Sequence, residues 1–80
     1  ESDMLKHFVH LGNQVYIRAD EILCLCPISY VSKDIAEKAL NLSTGTKRTF
    51  IITKSGQHFA SSIRYVTLNE RLEQALSGKE

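Results

Sequence analysis

Lys47-Arg48-Thr49-Phe50-Ile51-Ile52-Thr53-Lys54-Ser55-Gly56-Gln57-His58-Phe59-Ala60-Ser61-Ser62-Ile63 is the stretch that decides the fold. Residues 47–54 read as a strand built around Phe50, Ile51, Ile52 and Thr53, because β-branched and aromatic side chains suit a pleated surface. Ser55-Gly56 is a two-residue turn signal of the tight hairpin kind. Residues 57–63 return as the partner strand, carrying His58, Phe59, Ala60 and Ile63.

Working outward, the C-terminal side is helical. Thr67-Leu68-Asn69-Glu70 has the form of a capping box, with Thr67 as N-cap and Glu70 as N3. Leu68, Leu72, Ala75 and Leu76 fall on one helical face, and Gly78 is a stop signal. On the N-terminal side, residues 41–46 form a polar loop. Before it, Ser32 is a plausible N-cap for a helix with Asp34 and Glu37 near its positive end and an apolar stripe of Ile35, Ala36, Ala39 and Leu40. Ile22-Leu23-Cys24-Leu25-Cys26 is wholly apolar and predicts a central, buried strand, with Pro27 ending its regular pairing. Residues 5–11 and 14–17 flank Gly12-Asn13 and predict a further hairpin. The order is β-β-β-α-β-β-α, a small α+β domain with a mostly antiparallel sheet and two helices.

Eighty residues are enough for a single domain, spanning 1–80, with a thin core. Residues 1–4 are expected to be disordered, or residues 1–3 to precede a natural start at Met4, and 77–80 to be a tail. Cys24 and Cys26 are two apart, so in a strand both point to one face; they read as buried thiols of a reduced compartment. Disulfides being excluded on this reading, self-association is the expected supplement to the core. The acidic start, Glu1-Ser2-Asp3, does not resemble a secretory leader, and no apolar run is long enough to span a bilayer, so the expected location is the cytoplasm.

The net charge is +1, but the charges are unevenly placed. Between Lys38 and Asn69 there is no Asp or Glu, while Lys38, Lys47, Arg48, Lys54 and Arg64 lie in that stretch. Thr44-Gly45-Thr46-Lys47-Arg48-Thr49 combines a glycine, hydroxyls and adjacent cations, the groups that contact phosphate oxygens. Lys54 stands at the far end of the same strand. Arg64 stands where the return strand leaves for the last helix, and Arg18 is a lone cation after the second strand. Tyr16, Tyr30, Tyr65 and Phe8 are dispersed, and Phe50 and Phe59 are expected in the core, so a duplex-phosphate binder fits better than a stacking single-strand binder.

Catalytic patterns do not assemble. Asp20 and Glu21 are adjacent and would point to opposite faces of a strand. His7, His10 and His58 are scattered, and the cysteines lack a second pair at zinc-ligand spacing. Ser43-Thr44-Gly45-Thr46-Lys47 lacks the spacing of a phosphate loop and precedes a strand. The expectation is a non-enzyme with no cofactor, no metal and no small-molecule substrate.

His10-Leu11-Gly12-Asn13, the apolar strand ending at Pro27, Gly45-Thr46-Lys47-Arg48-Thr49 leading into Phe50-Ile51-Ile52-Thr53, then Ser55-Gly56, Ser61-Ser62-Ile63, and Thr67 with Arg71-Leu72 together resemble the RemA/RemB regulators of the bacterial biofilm extracellular matrix. The resemblance runs from about Phe8 to Leu72. The second half is also similar to the LytTR DNA-binding domain. The resemblance implies a DNA-binding transcriptional regulator that assembles into a ring-like homo-oligomer and presents repeated basic loops to duplex DNA. The family's arginine-rich segment falls on Thr46, Lys47 and Arg48; here it is thinned to Lys47-Arg48, with Thr46 where a cation is expected. The expected DNA-contact set is therefore Lys47, Arg48, Lys54 and Arg64, with Arg18 and Thr46. The alternative is a self-assembling protein-interaction module without nucleic-acid binding.

Overall fold

The computed structural model describes residues 7–42 and 45–77. The expected strand start at Leu5 and Lys6, Ser43 and Thr44 of the loop, residues 1–4 and the stop at Gly78 lie outside the described residues.

The domain is α+β, with the expected order of elements. β1 (Phe8–Gly12) and β2 (Val15–Arg18) form an antiparallel hairpin. β3 (Ile22–Pro27), α1 (Lys33–Lys38), β4 (Leu40–Asn41), β5 (Thr49–Thr53), β6 (His58–Ser61) and α2 (Tyr65–Ser77) follow. The second sheet has the order β3-β5-β6-β4, antiparallel except for β4, which runs parallel to β6. β4 has only two residues. Leu40 reads as the end of the apolar stripe on α1 and Asn41 as the start of a polar loop, but the helix ends at Lys38, and of that stripe only Ala36 and Ala39 are buried while Ile35 and Leu40 are exposed.

Alternation along β5 separates two small cores. Ile51 and its neighbours Leu25 and Phe59 face one side, where they meet Val9 and Leu11 of β1 and Leu68, Leu72 and Ala75 of α2. Phe50 and Ala60 face the other side, where Ala39, Ile28 and Val31 cover them together with Cys26. The expected stripe on α2 is thus seen for Leu68, Leu72 and Ala75, while Leu76 is exposed. Ser32 caps α1 as expected, its hydroxyl accepting from the Ile35 N–H at 3.4 Å.

Four details depart from expectation. β3 is an edge strand and not central, and its middle is exposed: Leu23 is 66 % accessible, and Cys24 is exposed too. A bulge accounts for Leu23. Ile22 pairs with Thr53 and Cys24 with Ile52, so Leu23 is an extra residue without a partner. That extra residue changes the parity of the strand, which lets Ile22 and Leu25 both face the larger core. The β5–β6 connection is also one residue longer than expected. Gly56 N–H bonds to Thr53 O and Thr53 N–H to Gln57 O, each at 2.9 Å, with Gly56 at φ +93°. This is a three-residue loop whose last position needs the left-handed region that glycine supplies. In the first hairpin Asn13 and Gln14 form the turn, at φ +50° and +62°. Finally, α2 begins at Tyr65 and not after Thr67. The Leu68 N–H bonds to Arg64 O at 3.0 Å, which leaves Arg64 at the cap and Thr67 inside the first turn.

The start of α2 is set by the segment before it. The Ser61 hydroxyl, wholly buried, donates to Leu11 O at 2.6 Å and accepts from the Ile63 N–H at 3.1 Å. The Thr49 hydroxyl, equally buried, donates to Ile63 O at 2.6 Å. These two hydroxyls bend residues 61–63 away from the sheet and aim the chain into α2.

Candidate nucleic-acid interface

The fold divides the expected contact residues between two ends of β5. At the first end, Arg48 extends the ladder beyond Thr49: its N–H donates to Ser61 O at 2.8 Å, and its carbonyl accepts from Ile28 N–H at 2.9 Å. The backbone of Arg48 is therefore fixed on both sides while its side chain is exposed. The Thr49–Ile63 bond holds the strand that carries Arg48 against the segment that delivers Arg64, whose side chain is also exposed. Lys47 reaches back to α1, its Nζ donating to Ala36 O at 3.4 Å. A cation there satisfies a carbonyl at the negative end of the helix. Lys38, in the last turn of α1, joins the same end. Thr46 is exposed beside Lys47. Among the described residues no carboxylate pairs with Lys47, Arg48 or Arg64.

Lys54 and Arg18 lie at the other end. Six residues of extended chain separate Arg48 from Lys54, about 20 Å at roughly 3.3 Å per residue. That exceeds the screening length of about 8 Å at physiological salt, so the two ends act as separate electrostatic regions. At the Lys54 end the fold brings acids near. The Lys54 backbone N–H bonds to the Glu21 backbone carbonyl at 2.8 Å, which sets the two residues side by side, and the Lys54 charge acts on the Asp20 carboxyl. Arg18 is not a lone cation: its Nε and Nη2 donate to both oxygens of Asp20 at 3.1 and 2.9 Å. The Arg18 hydrogen bond holds the Asp20 carboxyl below its usual range against an opposing desolvation, and the charges of Arg18 and Lys54 act in the same downward direction. The same hydrogen bond raises Arg18.

Lys54 reads with the other cations because Asp20 and Glu21 are remote from it along the chain; the partner of Arg18 is only two residues away, at Asp20. Lys38 belongs to the acid-free stretch of the sequence but not to the expected contact set, and the fold places it at the Lys47 end.

The remaining reactive groups stay apart. His7 lines a shallow cleft with Arg18, Ala19, Asp20, Ala75 and Leu76, but the carboxylate in it is committed to Arg18. The His10 ring stacks on Tyr16 with centroids 4.8 Å apart, and His58 packs against Phe50 at 5.4 Å. No group of three or more His, Cys, Asp or Glu among the described residues could hold a metal ion. The thiols are not buried as expected: Cys24 is exposed and Cys26 half-buried, and both are free. Among the described residues no helix is long and apolar enough to cross a membrane. A comparison with known protein families finds none that matches the chain, and no curated protein matches it.

Proposed function

We propose that the chain is a non-enzymatic, DNA-binding transcriptional regulator that acts in the cytoplasm as a homo-oligomer, touching duplex phosphates through Arg48 and Arg64 with Lys47 and Thr46 beside them. The observation that carries this reading is the acid-free end of β5, where rigid backbone presents two exposed arginines next to Lys47 and Lys38. Lys54 and Arg18, balanced by Asp20 and Glu21, stand outside the contact set. Three cations neutralising three phosphates give a salt slope of about −2.7 per subunit, at 0.9 per phosphate. That is weak for one subunit, so useful affinity comes from repetition of the cluster in an oligomer. Binding is to the backbone, with shape more than base edges deciding where the protein sits.

The test is a titration of duplex DNA against the wild type and a Lys47→Ala/Arg48→Ala variant at two salt concentrations. The reading expects weaker binding and a shallower salt slope for the variant. Equal binding by both proteins, or none by either, overturns it.

A second reading, a self-assembling interaction module, is favoured by one feature: large apolar side chains are left exposed, Leu23 at 66 % on the β3 edge and Tyr30 at 79 % just after that strand. On that reading Lys47 and Arg48 pair with Asp20, Glu21 or Asp34 of a neighbouring subunit. The same double variant then lowers the mass seen by light scattering, whereas the DNA reading leaves that mass unchanged.

A further inference from the structure

Cys24 and Cys26 form a pair that the proposed DNA contacts do not use. They stand opposite Ile52 and Phe50, on the same face of the four-stranded sheet. The ladder between them is regular, because the bulge lies one residue earlier, at Leu23. β3 is an edge strand, so reagents reach the thiols from the open side.

The spacing of the pair selects its chemistry. Same-face neighbours on a strand are about 6.6 Å apart, at roughly 3.3 Å per residue. A disulfide needs Cβ atoms about 3.5–4.5 Å apart, so a direct S–S bond would buckle the ladder. Both side chains leave the same face of β3, so the two sulfurs can lean toward one another. Thiolate–metal bonds of about 2.3 Å on either side of one ion span up to about 4.6 Å between sulfurs. Two side chains leaning together from a spacing near 6.6 Å can close that gap.

The surroundings then choose the ion. Structural zinc needs four ligands. Among the described residues no third His, Cys, Asp or Glu joins the pair. His58 is on the same face but two strands away, with its ring against Phe50. Ile52, Ile28 and Val31, packed with Cys26 around Phe50, make the neighbourhood apolar. Thiolates in such a setting favour a soft ion satisfied by two sulfurs.

We propose that Cys24 and Cys26 form a two-thiolate site for a soft monovalent cation of the copper(I) class. Each thiol releases one proton to solvent and each sulfur donates an electron pair to the ion. The ion keeps its oxidation state, and the site carries one net negative charge.

The experiment is an anaerobic titration of copper(I) into the full chain in competition with a chromophoric copper(I) chelator, for the wild type, Cys24→Ser and Cys26→Ser. Circular dichroism of each variant checks that the fold is kept. One ion per chain is expected for the wild type, with affinity falling about a hundredfold in each single variant, the scale of a lost bivalent attachment. An excess of zinc(II) should not displace the ion. The proposal is overturned if the wild type fails to compete with the chelator, if either variant binds as tightly as the wild type, or if the stoichiometry is one ion per two chains.

Discussion

Replacing Ser61 with alanine removes one hydroxyl but disconnects three parts of the molecule. The β1 strand is bulged at Leu11, since His10 pairs with Tyr16 and Gly12 with Val15. The bulge takes Leu11 out of the ladder, and the Ser61 hydroxyl bonds to its carbonyl at 2.6 Å. Leu11 is wholly buried, so water cannot replace that donor. An orphaned buried acceptor costs about 1–3 kcal/mol. The Ile63 N–H also loses its partner, but Ile63 is only half-buried, so its share is smaller. The expected loss is about 2–3 kcal/mol. A domain of this size has roughly 4–12 kcal/mol in all, at about 0.05–0.15 per residue. The midpoint of thermal unfolding should fall by roughly 10–20 °C. Urea unfolding followed by far-ultraviolet circular dichroism checks this, with an unchanged m-value showing that the native state alone lost stability. Ser62→Ala, next door but half-exposed, is the control and should stay within about 0.5 kcal/mol of wild type. A Ser61→Ala protein that unfolds within about 0.5 kcal/mol of wild type refutes the reasoning.

Four further outcomes are expected. Arg48→Ala and Arg64→Ala each reduce the salt slope of duplex binding by about 0.9 per subunit, whereas Arg18→Ala and Lys54→Ala leave it nearly unchanged, as filter binding at several salt concentrations can show. Gly12→Ala loses about 1–3 kcal/mol by chemical denaturation, because Gly12 sits at φ +113° and a Cβ there would meet Leu42 O at 3.4 Å. Asp20 has its folded pKa lowered by Arg18, so its stabilising effect is present above the ordinary carboxylate range and fades as pH falls through the lowered value. Thermal unfolding of Asp20→Asn should therefore be less sensitive to acid than wild type; the difference is small because both side chains of the pair are 56 % accessible. A thiol-alkylating reagent should modify Cys24 before Cys26, since Cys24 is exposed and Cys26 has the raised thiol, and peptide mass mapping over time would reveal the order.

Local chemistry explains which features could be read in advance. The β5–β6 hairpin, the Ser32 cap and the inner face of α2 each depend on residues a few positions apart, and each is legible in the chain. The position of β3 depends on which strands pair across long separations. An apolar run with a hidden bulge looks the same whether it is central or at an edge, which is why Leu23 and Cys24 read as buried. The start of α2 is decided by Ser61 and Thr49 through contacts with Leu11 and Ile63, so the Thr67–Glu70 pattern was misleading. The candidate site divides in the same way. Arg48 and Arg64 are brought together by the hairpin itself, and Arg18 meets Asp20 two residues on, whereas the approach of Lys54 to Asp20 and Glu21 requires the fold to carry β3 and the turn before it alongside β5.

The ends of β3 bear on how copies of this protein could join. Pro27 offers no N–H at one end, and the Leu23 bulge breaks the ladder at the other. Only the short stretch between them could hydrogen-bond to an incoming strand. A neighbour arriving at this edge would find exposed apolar side chains but almost no backbone template. Association there would rest on side-chain packing around Leu23, which works against stacking strand on strand into a fibre.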